Sequence, residues 1–370
     1  MVVPFDNLSS FNQAIAIETS TESITYAQLD ELTSKSRSEP AIVAHLTLNT
    51  IITLISSLRA GQMVVMINPK VPYTPSIDVS DIPYPGTIVW TSGSTGLPKA
   101  AILSFDNHYY NAIGSFEINR LELGDKWLLR LPLFHVSGLS IVIRCLLRGA
   151  TICLPNHRWS IEHSLDFFKP THCSLVMTQL QELVQTNTNV SMLKTCLVGG
   201  GPISDSLIQS STHMGLPVML TYGCTEMASQ IITNNRVLPY RELKINSNGH
   251  VLVKGKTLFN GYVGMPIALD SDGFFNTGDV ASFNHGQFTF LGRVDRMFVS
   301  GGENIYPEEI ERVLLSHPSV YFARVESIPS SKYGYRPVAF VSRKDPLIDL
   351  DAYVRQWLPT YKCPDRYFDN

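Results

Sequence analysis

Thr87-Ile88-Val89-Trp90-Thr91-Ser92-Gly93-Ser94-Thr95-Gly96-Leu97-Pro98-Lys99 runs from an apolar strand into a loop of hydroxyls and glycines closed by a lysine. Glycines 93 and 96 let the backbone approach an anion closely. The hydroxyls of Thr91, Ser92, Ser94 and Thr95 supply donors, and Lys99 supplies positive charge. The composition suits a polyphosphate. It is not the G-x-x-x-x-G-K-[ST] loop of the common NTPases. Taken alone, the stretch also reads as a plain solvated Ser/Gly turn.

From Gly86 onward, short apolar runs alternate with amphipathic ones. Ser104 can cap a helix from about Phe105 to Asn119. Trp127 to Leu131 reads as a strand, Leu139 to Leu147 as a helix and Ala150 to Leu154 as a strand. Ser160 can cap the next helix, which stops before Pro170. His172 to Met177, Thr195 to Val198 and Pro217 to Leu220 are further strands. Such alternation predicts an α/β fold with a largely parallel sheet. Before Gly86 the text is less informative: Ile24 to Leu29 reads as strand then helix, and Ala41 to Leu58 as largely helical.

After about Gly249 the character turns antiparallel. Val251 to Val253, Phe274-Phe275 and Gln287 to Leu291 read as short strands, with Asp272-Gly273 and His285-Gly286 as turns. Residues 296 to 370 read as a small α+β domain. It has a helix opening at Pro307 with Glu308, Glu309 and Glu311 at its positive end, strands at Phe322 to Val325 and Val338 to Val341, and a helix from Leu350 to Trp357.

The 370 residues are enough for a large core and more than one domain. A net charge of −3 gives no electrostatic footprint for nucleic acid or an anionic membrane. No apolar run, Ile51 to Leu58 included, has the length or flanks of a membrane span, and the first residues lack a signal-peptide pattern. Cys145, Cys153, Cys173, Cys196, Cys224 and Cys363 share no CxxC spacing. They read as reduced core thiols of a cytoplasmic protein.

Further motifs follow the loop in order. They are Phe134-His135-Val136-Ser137-Gly138, Gly199-Gly200-Gly201-Pro202, Tyr222-Gly223-Cys224-Thr225-Glu226, Thr277-Gly278-Asp279 and Gly292-Arg293-Val294-Asp295. The last leads into Gly301-Gly302-Glu303-Asn304-Ile305-Tyr306-Pro307-Glu308-Glu309-Ile310-Glu311. With these, residues 20 to 365 resemble the adenylate-forming superfamily of acyl-CoA synthetases, luciferases and peptide-synthetase adenylation domains. Leu131 to Leu139 with Arg144, Thr178-Gln179-Leu180, Thr225 to Ser229 and Phe298 to Glu303 are most similar to its o-succinylbenzoate–CoA ligases of menaquinone biosynthesis.

The resemblance implies a large adenylate-forming domain over 1–295 and a C-terminal lid over 296–370. It implies ATP and Mg²⁺ as cofactors, with an aryl dicarboxylic acid and CoA as partners. Nucleic acid and membrane insertion are not expected, and a homodimer is left open. Lys99, Thr225, Glu226 and His135 are the catalytic candidates, Glu226 also as the Mg²⁺ ligand. Thr91, Ser92, Gly93, Ser94, Thr95, Gly96, Gly200, Gly201, Tyr222, Gly223, Asp279 and Arg293 are expected at the nucleotide. Ser137, Arg144, Thr178 and Ser229 are expected at the acid, and Asp295 at the interdomain hinge.

Several of these carry a competing reading. Glu226 can be a surface carboxylate. Tyr222 can stack on adenine or simply pack, and Gly200 and Gly201 can serve turn geometry alone. His135 can line the acyl pocket or sit in the core. Arg144 interrupts an apolar helix. It can fork onto the second carboxylate of a dicarboxylic acid, form a structural ion pair or snorkel to an edge. The family's C-terminal Gly-Lys motif is not found before Asn370, and Tyr361-Lys362-Cys363-Pro364 resembles the stretch preceding it. The expectation is a truncated lid and a chain that binds ATP and a supplied acyl-adenylate but makes the adenylate slowly. The alternative is a nucleotide- or adenylate-binding protein without catalysis, or a ligase for another aryl or fatty acid.

Overall fold

Local signals set the element starts. Thr25 and Ser104 each close a capping box, with Gln28 and Asn107, at the helices Tyr26–Lys35 and Phe105–Ile113. Ser160 caps Ile161–Phe168, and Pro307 occupies the first turn of Pro307–Leu315. The computed structural model describes residues 2–71, 77–91, 98–186, 188–201 and 203–369. Ser92, Gly93, Ser94, Thr95, Gly96 and Pro202 therefore lie outside the described residues.

A nine-stranded sheet forms the centre. Its parallel part runs Val218–Cys224, Thr195–Val198, His172–Leu175, Lys126–Leu128, Thr151–Leu154, Ile15–Thr19. Antiparallel strands close both edges, Ser229–Thr233 with Arg236–Val237 on one side and Ser23–Thr25 on the other. A second sheet joins Ala41–Val43, Met63–Ile67, Gly86–Thr91 and Lys99–Ser104, with only its last pair antiparallel. The helices Leu48–Arg59 and Val136–Arg148 contribute to the apolar core that these sheets share. The expected α/β class is present.

Two expectations change. Ala41 to Leu58 is largely helical as expected, but not from its start. Ile42 and Val43, β-branched, pair beside Met63–Ile67, and the helix starts only after the Thr47 cap. The helix expected to reach Asn119 breaks after Ile113. A Cβ at Gly114 would come within 2.6 Å of the Arg241 guanidinium, and a separate turn, Phe116–Asn119, follows.

The third sheet is antiparallel: Arg241–Ile245, His250–Gly255, Phe275–Asn284, Gln287–Arg293. His285 and Gly286, at φ 50° and 79°, make the tight turn expected there. A fourth sheet holds Phe298–Ser300, Glu303–Ile305, Val320–Ser330, Gly334–Arg343 and Tyr367–Asp369. Its core includes Ile310, Leu314, Val325, Val341 and Leu350. The final helix ends at Val354, three residues before the expected Trp357.

His108 is fully buried in Phe105–Ile113, with Nε2 2.8 Å from Thr87 Oγ1 and Nδ1 unpartnered. Burial pushes its pKa down to about 4. Between that value and about 6.5 the unfolded chain binds the extra proton, so the sign is fixed. Stability should be intact above about pH 6.5 and fall toward about pH 4 by about 1.4 kcal/mol per pH unit from this residue. Denaturant melts across that range should show a shallower acid slope for His108→Gln than for the parent.

Candidate active site

The strands Gly86–Thr91 and Lys99–Ser104 hold the two ends of the glycine loop. Thr91 faces Lys99 across the ladder and donates from Oγ1 to its carbonyl at 3.3 Å. The other edge of Lys99–Ser104 meets Tyr262, which bridges to Ala101. This places the Tyr262 ring beneath Lys99, with Nζ 5.4 Å from its centroid. The Tyr262 hydroxyl donates to Glu226 Oε1 at 2.6 Å. Burial and the Glu226 charge raise the Tyr262 pKa, so it stays a donor. Lys99 and Glu226, far apart in sequence, thus converge on one ring.

Glu226 sits in the turn Thr225–Met227, which Thr225 opens, at the end of Val218–Cys224. Ala228 and Ser229, at φ 55° and 120°, reverse the chain so that Gly223 pairs with Gln230. On the adjacent parallel strand, a Cβ at Gly199 would lie 2.6 Å from the Thr221 carbonyl. Gly200 has φ +84°, and a Cβ at Gly201 would meet open space. The glycines therefore sit at the strand end, where open α/β sheets bind ligands.

Beside this end lies a charged group. Tyr222 donates to Asp279 Oδ2 at 2.6 Å, and Arg293 Nη1 donates to Asp279 Oδ1 at 2.7 Å. Arg293 also grips Asp295 through Nε and Nη2, at 3.1 and 3.0 Å. Burial raises the Asp279 pKa, against the pull of Tyr222 and Arg293. Burial also opposes the Arg293 charge, and the bonds to Asp295 and the Asp279 charge outweigh it. The Tyr222 ring packs on Phe288, with centroids 4.9 Å apart. Asp279 and Arg293, both expected at the nucleotide, are thus bound to each other.

His135 is the residue before Val136–Arg148, exposed, with its ring 4.5 Å from that of Phe134. It is not a core histidine. The helix seats closely on the preceding loop, since a Cβ at Gly138 would come within 2.2 Å of the Pro132 carbonyl. Two turns on, Arg144 is 1% exposed, which removes the snorkelling reading. Among the described residues it has no carboxylate partner, which removes the ion-pair reading. Its Nη2 donates to Gln230 Oε1 at 2.7 Å, its guanidinium lies 4.6 Å from the Trp127 ring, and Nε has no partner. Burial lowers its pKa to about 10.

Ser137 is half-buried on the same helix, Ser229 half-buried at the strand start, and Thr178 exposed at the start of Met177–Val184. None of the three hydrogen-bonds through its side chain to Arg144, Glu226 or Asp279. Sequence reasoning missed Tyr262, Trp127 and Gln230. Only Gln230 carried a signal, as a polar residue entering an apolar strand right after the Thr-Glu-Met-Ala-Ser run.

The AMP-binding enzyme family matches residues 81–263, and the AMP-binding enzyme C-terminal domain matches residues 309–368. The 2-succinylbenzoate–CoA ligase of Bacillus licheniformis is 36% identical over 330 residues, 81% of this chain and 68% of that one. This chain belongs to the AMP-binding enzyme family. It spans 64 to 68% of the length of the curated Bacillus relatives. Among solved structures, this AMP-binding enzyme is similar to the Bacillus subtilis o-succinylbenzoate CoA synthetase in complex with the acyl-adenylate intermediate OSB-AMP. The TM-score is 0.87 at 25% identity, covering all of this chain and 94% of that one. The same B. subtilis enzyme in complex with ATP and magnesium ion gives a TM-score of 0.86 at 25% identity, covering 100 and 95%.

Proposed function

We propose that this AMP-binding enzyme is an AMP-forming acid–CoA ligase whose acid is o-succinylbenzoate. The carboxylate oxygen attacks the α-phosphorus of ATP and pyrophosphate leaves. The CoA thiol then attacks the acyl carbon and AMP leaves. The observation that carries the reading is the buried Arg144, a guanidinium without a carboxylate partner among the described residues, behind the His135 loop. A dicarboxylic acid supplies the missing anion and keeps its other carboxylate for activation.

The remaining residues support the nucleotide half. Lys99, Thr91 and Thr225 face the phosphates from three segments. Asp279 suits the ribose once Arg293 or Tyr222 yields, and Gly200 and Gly201 leave room at the strand end. Glu226 offers one carboxylate beside the phosphates. Among the described residues no group of three or more His, Cys, Asp or Glu side chains could hold a metal ion. One carboxylate with substrate phosphates is the donor set Mg²⁺ favours, so the residues fit Mg²⁺ carried with ATP. When bound, Mg²⁺ supplies charge stabilisation for the leaving pyrophosphate. Lys99 orients the same phosphates, and Tyr262 holds Glu226 in place.

Domains over 1–295 and 296–370 fit the ties around residue 295. Arg293 is fixed to Asp279 on the third sheet, whereas Arg296 is fixed to Glu308 and Glu311 on Pro307–Leu315. Val294 and Asp295 lie between, and Asp295 is itself tied to Arg293, so the hinge of a moving lid would turn at or just after Asp295. Lys362 is paired with Glu309 at 2.6 Å, so it is held within the lid. The cytoplasm suits six free cysteines, five of them buried, and no helix among the described residues is long and apolar enough to cross a membrane. The test is whether an oxygen of the acid appears in AMP.

A further inference from the structure

Gln230 stands between Arg144 and a chain of hydroxyls that runs one way. Thr221 Oγ1 donates to the Ile232 carbonyl at 2.9 Å. Thr233 Oγ1 donates to Thr221 Oγ1 at 3.2 Å. With its proton so committed, Thr233 can only accept, and Gln230 Nε2 donates to it at 2.9 Å. The amide of Gln230 is thereby oriented, leaving Oε1 for Arg144 Nη2 at 2.7 Å. The reverse orientation would set Nε2 against guanidinium N–H groups and leave Thr233 without its donor. Gln230 and Thr233 are 3% and 0% exposed, so these bonds are shielded from bulk solvent.

A second contact fixes the plane of the same guanidinium. Arg144 lies over Trp127, whose other neighbour is His172 at 4.9 Å between ring centroids. Trp127 Nε1 is itself tied to Ser174 Oγ at 3.1 Å. Among the described residues the charged and titratable groups around Arg144 are Cys145, Arg241 and His172, and none of them is a carboxylate. The buried Arg241 adds repulsion: it binds the carbonyls of Pro239 and Asn111 and, through Nη1, the backbone carbonyl of Gln230. A neutral acceptor at position 230 therefore holds Arg144 in one rotamer without cancelling its charge. An acidic residue there would cancel it.

We infer that Gln230 is a positioning and specificity-determining residue, which aims the Arg144 guanidinium at the second carboxylate of the acid while leaving its positive charge uncompensated. The inference rests on the reading of Arg144 as the anchor for that carboxylate. Thr233 acts one step behind, by fixing the amide.

The experiment is calorimetric titration of the full chain with two acyl-adenylate sulfamate analogues, the o-succinylbenzoyl compound and one lacking the aryl carboxylate. Gln230→Glu should reduce the affinity ratio of the two ligands by on the order of tenfold or more, with the loss on the dicarboxylate side. Thr233→Val, which frees the amide but keeps the shape, should reduce it by about threefold in the same direction. Gln230→Met, which keeps volume and removes the acceptor, should fall between them. Equal losses on both ligands, or an unchanged ratio in Gln230→Glu and Thr233→Val, would overturn the inference. If Gln230→Glu does not fold, Thr233→Val alone decides. Arg144→Leu separates the two claims. No change of ratio there defeats the anchor reading itself. A changed ratio there with none in the Gln230 and Thr233 variants defeats only the positioning role.

Discussion

Glu226→Ala should lower Mg²⁺-dependent ATP–pyrophosphate exchange by about 10²- to 10³-fold and raise the Mg²⁺ concentration needed for half-maximal exchange. The carboxylate lies in a tight turn after Val218–Cys224 and is held by the Tyr262 hydroxyl at 2.6 Å, next to the ring that Lys99 overlies. Charge develops on the phosphoryl oxygens and on the leaving pyrophosphate, so a preorganised group there acts chiefly on the transition state. ATP binding itself should weaken much less, because Lys99 and the strand-end glycines remain. Exchange kinetics over a Mg²⁺ series, with ATP binding measured in parallel, check both halves. An unchanged rate with unchanged Mg²⁺ dependence would remove Glu226 from the site.

Arg144→Leu should cost the dicarboxylic acid about 2–5 kcal/mol of binding and leave an acid lacking the second carboxylate far less affected. Several kcal/mol are involved because the guanidinium is already desolvated at 1% exposure and meets no protein carboxylate among the described residues. Its pKa, lowered to about 10, still leaves it charged at neutral pH. Leucine also suits the apolar helix, so thermal stability should hold or rise. Titration of the two acids in the presence of ATP, together with a melting curve, checks the result. Equal losses for both acids would make Arg144 a structural residue.

Much of this site was legible in the sequence because motif residues are local. Lys99, the Thr225-Glu226 turn and the Asp279 and Arg293 positions each show within a few residues. Arg144 was legible for a physical reason, one charge in an apolar helix. What was hidden depends on register and on distant segments. Tyr262 reaches Glu226 only because residues 260–263 lie along Lys99–Ser104. Asp279 and Arg293 pair because a two-residue turn and a register shift between Val280 and Ala281 together place them opposite each other. Gln230 could be noticed as polar, but its partner lies 86 residues away. The fold was read in class and in the order of most elements. The strand Ala41–Val43 was missed because three residues carry too little periodicity.

The central claim is that a carboxylate oxygen of o-succinylbenzoate attacks the α-phosphorus of ATP. The most direct measurement supplies the acid labelled with oxygen-18 in its carboxylates, with ATP, Mg²⁺ and CoA, and weighs the nucleotide product. The account predicts AMP carrying one labelled oxygen, formed in step with o-succinylbenzoyl-CoA and suppressed in Arg144→Leu. Unlabelled AMP, ADP in its place, or no labelled AMP from a chain that still binds ATP would contradict it.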